Sequence, residues 1–424
     1  MAVRLFLRKV NRMKIGAFAE KYHVSRDTIR FYVKRGLLTP KLAGCQLEFA
    51  QQEDADMKRI LKMKNMQLSL GEIQDIFYLR RMSNFIEPST LHHCIDLLEN
   101  KQKEVMAEKE RMEQGLILLG QEIKKLKEKL KEPGACIRSG VPLTAFSLLC
   151  CPKCGASLKI RQAEIENGYI MNGEISCACS WHASIRDGIV ITGNVYMGKY
   201  DTPDMERKLY HENTPEYNTC ALKGPEYILE QLDRENLKGK VVLEANINGF
   251  FFVYNFLSRL SHDCTYVFVD KYPEVLAMYK KLIESLYDDL DILYIADAGE
   301  NFPLQKNSLD YVVALFGENE YSFYHKNTQL HDIAALMKPG AKAIGAYQSM
   351  KWDCCTRKNL QKKYPEGNYR MCNMGMFQKE YAQNGFFMQH QLLGTVMKTL
   401  KHHMYTEHID GEPIEIYGYV ACKQ

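Results

Sequence analysis

At 424 residues the chain exceeds what one ordinary core supports, and roughly 150 residues per domain sets an expectation of about three folded units. Hydrophobic residues make up 46% and charged residues 25%, with 13 Pro, and no apolar run approaches the roughly 18 residues of a membrane-crossing helix; wholly disordered and membrane-spanning classes drop out. The net charge of +4 is uneven: residues 1 to 40 carry ten Lys/Arg against Glu20 and Asp27, a local +8 that leaves −4 for the remainder.

The opening stretch MAVRLFLRKVNRM mixes basic residues into a short apolar run and lacks a sustained leader core or a small-residue cleavage site. Fourteen Cys without such a leader point to a reducing, cytoplasmic setting, where thiols fill cores, bind metals or act as nucleophiles. The basic amino end is the electrostatic footprint of a nucleic-acid-binding head with no membrane partner; a solvated basic face is the alternative that charge alone leaves open.

In KIGAFAEKYHV, Ile15, Phe18, Ala19 and Tyr22 recur at helical spacing. Ser25 then caps a second helix, SRDTIRFYVKRG, that ends at Gly36. Ile29 and Val33 are expected on its inward face, and Arg26, Arg30 and Lys34 form an outward stripe at every fourth position. A basic stripe on a short capped helix suits a major groove. The segment AGCQLEF has the length of a β-wing, and Ser69-Leu70-Gly71-Glu72 opens a later helix as a capping box.

The succession KIGAFAEKYHVSRDTIRFYVKRGLLTP, with ILKMKNMQLSLGEIQDIF further on, resembles the MerR family of transcription regulators over about residues 14 to 81. The resemblance implies a winged helix-turn-helix domain at 13–82. It implies a homodimer on double-stranded promoter DNA, distorting an over-long spacer and acting on RNA polymerase indirectly. Arg26, Thr28, Arg30, Tyr32 and Lys34 are the candidate DNA contacts. Where the family's wing carries Tyr-Arg, this chain has Cys45-Gln46, which removes a phosphate-binding charge.

From 88 to 132 the apolar positions follow a heptad, with Leu91, Leu98, Val105, Met112, Leu119 and Leu126 in one column and Ile95, Leu116, Ile123 and Leu130 in the other. Gln102 and Lys109 interrupt the second column, and Gly115 softens it. A dimerising coiled coil is expected, the alternative being an amphipathic helix packed within its own chain. Pro133-Gly134 is expected to end it.

Cys150-Cys151-Pro152-Lys153-Cys154-Gly155 is followed by Cys177-Ala178-Cys179, with 22 residues between Cys154 and Cys177. Two close thiol pairs suit tetrahedral structural zinc, with Cys151, Cys154, Cys177 and Cys179 preferred and Cys150 or His182 as alternative ligands. CACSWHASIRDGIVI resembles the end of small zinc ribbons that precede some methyltransferase domains, which places a β zinc ribbon at 148–192.

Beyond it, VVLEA (241–245), TYVFVD (265–270), DILYIAD (291–297), DYVVALF (310–316) and AKAIGAY (341–347) read as buried parallel strands alternating with helices, a doubly wound α/β domain over 200–424. GFFMQHQLLG and EIYGYVACK add an antiparallel pair. Glu244, Asp270 and Asp297 stand where strands end, the ligand edge of such a sheet. IADAGENFPLQKNSLDYVVALF with LMKPGAKAIGA resembles class I S-adenosylmethionine-dependent methyltransferases, a Rossmann-like fold. The resemblance implies that Asp270 binds ribose, that Asp297 and Ala298 meet the adenine edge, and that Glu244 ends the first cofactor motif.

That motif departs from Gly-x-Gly-x-Gly. Asn246-Ile247-Asn248-Gly249-Phe250 stands in its place, leaving Asn246, Asn248 and Gly249 as the loop's candidate cofactor contacts and a phenyl ring expected at the methionine end of the pocket. No Asn-Pro-Pro-Tyr type motif follows the fourth strand, where FGENEY stands, and no catalytic residue emerges. The sequence therefore reads as a multidomain, dimeric transcription regulator whose methyltransferase-like domain serves as a small-molecule effector-binding or structural module. The alternative is an active S-adenosylmethionine-dependent methyltransferase recruited by its DNA-binding head.

Overall fold

The computed structural model describes residues 12–44, 46–129, 139–211, 213–299, 301–398 and 407–424, in two compact units, 1–132 and 133–424. Cys45, Leu130 and Pro133-Gly134 lie outside the described residues. Among those described, no helix is long and apolar enough to cross a membrane.

The first unit begins with β1 (Met13–Lys14), α1 (Ile15–Lys21) and α2 (Arg26–Lys34). The Ser25 Oγ accepts from the Thr28 backbone N–H at 3.0 Å, satisfying an amide that the first turn of α2 would leave bare. β2 (Lys41–Ala43) and β3 (Gln46–Phe49) form an antiparallel hairpin, the expected wing, and β1 pairs with β3. α3 (Gln51–Asn65) and α4 (Leu70–Ser83) close a core containing Phe18, Ile29, Phe49, Met57, Ile60 and Ile73, with Phe18 stacked on Phe49 at 4.4 Å. Arg81 ties α4 to the end of α2: it donates to the Leu37 carbonyl at 2.8 Å and to the buried Asp56 carboxylate at 3.0 Å. α5 (Pro88–Lys129) is one 42-residue helix. Its beginning packs against the head through Leu97 and the 3.1 Å Lys101–Glu72 ion pair, and its later heptad residues Met112, Leu116, Leu119, Ile123 and Leu126 are all more than half exposed.

The second unit is built on one twelve-stranded sheet. Its small amino-terminal strands are β4 (Val141–Pro142), β5 (Lys159–Glu166), β6 (Tyr169–Ser176), β7 (His182–Arg186) and β8 (Ile189–Ile191). Seven long strands follow: β9 (Val241–Ala245), β10 (Thr265–Asp270), β11 (Asp291–Ala296), β12 (Leu309–Leu315), β13 (Met337–Met350), β14 (Phe386–Val396) and β15 (Ile414–Lys423). Counted from β9, these seven lie in the order 3-2-1-4-5-7-6, with β15 antiparallel to both neighbours. The continuous apolar runs of β9 to β12 follow from burial on both faces: one layer packs Tyr217, Ile228, Phe252 and Tyr279, the other Leu336, Phe377 and Tyr381.

The cysteine-bearing segment does not form a sheet of its own. β8 pairs in parallel with β11, Ile189 opposite Tyr294, so β7, β6 and β4 continue the same sheet outward.

Candidate functional sites

On the head, Arg26, Arg30 and Lys34 are exposed along α2. Arg30 pairs with Asp27 at 2.8 Å, a solvent-exposed contact that costs little to exchange for a phosphate. The Arg26 guanidinium lies against α1, where a side chain at Gly16 would come within 3.2 Å of it. Two expectations need correction. Thr28 is half-buried, its hydroxyl 2.9 Å from that of Ser25, and so forms part of the helix cap. Tyr32 is only 2% exposed and belongs to the head's core; Val33, expected inward, is half-buried and packs against that core. Tyr32 stands three positions from Ile29 and shares its face, a spacing that could have revealed this.

The four thiols of Cys151, Cys154, Cys177 and Cys179 converge, all Sγ atoms lying within 4.8 Å of one another. Tetrahedral bonds of about 2.3 Å would set the sulfurs about 3.8 Å apart, so the cluster has the dimensions of a metal centre. Gly155, at φ +73°, turns the first knuckle, and its N–H donates to the Cys151 carbonyl at 2.8 Å. In the second, the Trp181 backbone N–H and then the neighbouring thiols bring the Cys179 thiol down to about 7. Cys150 lies outside this group of four, its thiol donating to the Leu304 carbonyl at 3.1 Å. His182 is exposed on β7, outside the cluster.

At the carboxyl ends of β9, β10 and β11 the predicted residues come together, but their polar groups are engaged by the chain itself. Glu244 is fully buried; its Oε1 accepts from the Phe252 N–H at 2.7 Å and its Oε2 from the Val253 N–H at 2.8 Å. Burial pushes its carboxyl up to about 8. It staples the turn after β9, which corrects its assignment to cofactor. Asp270 accepts from the Asn248 N–H at 2.8 Å and the Tyr272 N–H at 3.0 Å, and burial raises it to about 6. Asn246 adopts φ +61°, serving where the usual loop has glycine, and donates to Gln329 at 2.8 Å. Phe250 stacks on Tyr210 at 5.7 Å and meets Phe316, just beyond β12, edge-on at 5.2 Å.

Sequence reasoning missed the segment that crosses this site, residues 194 to 208. The Asn194 side-chain amide donates to both oxygens of Asp297 at 3.2 Å, and its backbone carbonyl accepts from the Ala298 N–H at 3.1 Å. One donor and one acceptor thus meet the groups expected to read the edge of adenine. Asp201 forms an ion pair with Lys271 at 2.5 Å, their side chains only 6% and 4% exposed. Burial alone would push the Lys271 ammonium down, but Glu320, Asp201 and Asp270 outweigh it and hold it above its ordinary value. Asn248 donates to the Thr202 carbonyl and accepts from the Asp204 N–H, and Arg207 donates to the Asn248 carbonyl at 2.7 Å and to that of Gly249.

The 3-2-1-4-5-7-6 order with an antiparallel last strand defines the second unit as a Rossmann-like, class I methyltransferase-like α/β fold. Among solved structures, it is similar to phosphoethanolamine N-methyltransferase 2 of Haemonchus contortus in complex with S-adenosyl-L-methionine, at 15% identity and a TM-score of 0.36, covering 47% of this chain and 52% of that one. A SAM-dependent methyltransferase from Aquifex aeolicus matches at 16% identity and a TM-score of 0.33, covering 53% of this chain and all of that one. This chain therefore spans about half the length of the Haemonchus enzyme. No curated protein sequence matches it. Residues 13–79 match the MerR HTH family regulatory proteins, so the head is a MerR-type helix-turn-helix domain.

Proposed function

We propose that the chain is a dimeric, DNA-binding transcription regulator of the MerR type whose methyltransferase-like unit works as a sensor or structural module and not as an enzyme. One observation carries this reading: at the adenine end of the crevice where S-adenosylmethionine would lie, the chain's own Asn194 engages Asp297 and Ala298 in place of adenine. Methyl transfer depends on placing a bound cofactor in line with its acceptor, and here the contacts expected for its adenine are already used. The exposed stripe of Arg26, Arg30 and Lys34 would enter the major groove, and the uncovered heptad column of α5 would form an intermolecular coiled coil. Zinc held by Cys151, Cys154, Cys177 and Cys179 would close the ribbon structurally, there being no fourth position left open. We place the protein in the cytoplasm at the nucleoid, acting on RNA polymerase through promoter shape. A small-molecule effector with unequal affinity for two dimer arrangements would supply the switch.

Arg30→Ala tests the head. Its affinity for DNA selected by the wild-type chain from a random pool should fall by about 1–3 kcal/mol, with the dimer mass in light scattering unchanged. Loss of one phosphate contact lowers the salt slope by about one, whereas a base contact relaxes sequence preference. Undiminished affinity at moderate salt would remove α2 from the groove.

A further inference from the structure

Between the strap at residues 200 to 208, the loop at Asn248 and Gly249, and Tyr324 lies an open cavity of about 320 Å³, at the lower end of the range for small-molecule sites. Three of its walls are tyrosines set nearly at right angles: Tyr200 and Tyr364 at 5.9 Å and 87°, Tyr324 and Tyr364 at 5.8 Å and 82°. Four carboxylates (Asp201, Asp204, Glu206 and Glu320) line it against one ammonium, Lys208, and Lys271 behind the wall leaves a net charge of about −2. Glu320 is 5% exposed, and its Oε1 lies 3.5 Å from Lys271. The chain already places one ammonium against these groups. Lys271 Nζ sits 5.2 Å from the ring centre of Tyr324 and 5.6 Å from that of Tyr196.

We propose that this cavity binds a small organic ammonium ion, with Glu320 as counter-charge and Tyr200, Tyr324 and Tyr364 as the aromatic box. Aromatic faces attract a cation through their quadrupoles and exclude water. The proposal deepens the sensor reading and rests on it only for the consequence at DNA.

Titration calorimetry of the full chain with choline, and with its uncharged isostere 3,3-dimethylbutan-1-ol, tests the site. Saturable choline binding is expected, with the isostere at least about tenfold weaker, since one charge–quadrupole contact alone is worth most of that factor. Glu320→Gln should weaken choline by a similar factor. Because Glu320 also faces Lys271, the half-exposed Tyr200→Leu provides a second variant with the same expected loss and little bearing on folding. No saturation below about 10 mM, or equal binding of choline and isostere, would overturn the site. Choline binding that leaves DNA affinity unchanged would uphold the site and contradict only the sensor reading.

Discussion

Removing metal from the second unit is expected to unfold far more than a zinc knuckle. Four thiolates converging within 4.8 Å repel one another once uncompensated, and structural zinc in small domains contributes about 10–16 kcal/mol of apparent folding free energy at neutral pH. The ribbon is not an appendage: β8 pairs with β11, so its loss bares the edge of a central parallel strand. Protein purified under reducing conditions should contain one zinc per chain by mass spectrometry. Chelation or Cys151→Ser should then cause loss of sheet signal in circular dichroism and concentration-dependent aggregation. A metal-free chain with an unchanged spectrum would leave the four thiols as ordinary core and surface cysteines.

Lys271→Met is expected to destabilise the second unit by about 3–5 kcal/mol, because it leaves the Asp201 carboxylate buried beside Glu320 and Asp270 with no cation. The same buried pair replaced on both sides, Lys271→Met with Asp201→Leu, should recover most of that loss, since two apolar groups leave no charge to solvate. Urea titration of the single and double variants measures the coupling directly. Additive losses would show that Lys271 and Asp201 do not act as a pair. Single-variant losses under about 1 kcal/mol would show that the strap from 194 to 208 is not fastened by this contact.

Much of this architecture was legible because its signals are local. Ser25 and Ser69 cap helices within three residues of themselves, the runs from VVLEA to DYVVALF mark strands buried on both faces, and the paired thiols lie close in sequence. The contacts of the strap across the sheet edge are not local. Asn194 meets Asp297 across 103 residues, and Arg207 reaches the Asn248 and Gly249 carbonyls from a segment with no periodicity to announce it. The fusion of ribbon and sheet was hidden likewise, since a three-residue strand at Ile189–Ile191 carries no sign of a partner at Tyr294–Ala296. Glu244 shows a different limit. A carboxylate at a strand end suits a ligand or a bare helix turn equally well, and only the amides of Phe252 and Val253 decide for the turn.

The most direct test of a crevice engaged at its adenine end by the chain itself is a thermal-shift titration of the full chain with S-adenosylmethionine and S-adenosylhomocysteine. A ligand at about 100 times its dissociation constant would stabilise the native state by about 2.7 kcal/mol. No shift is expected for the wild-type chain at saturating concentrations of either compound. A clear, saturable rise in melting temperature would contradict this reading.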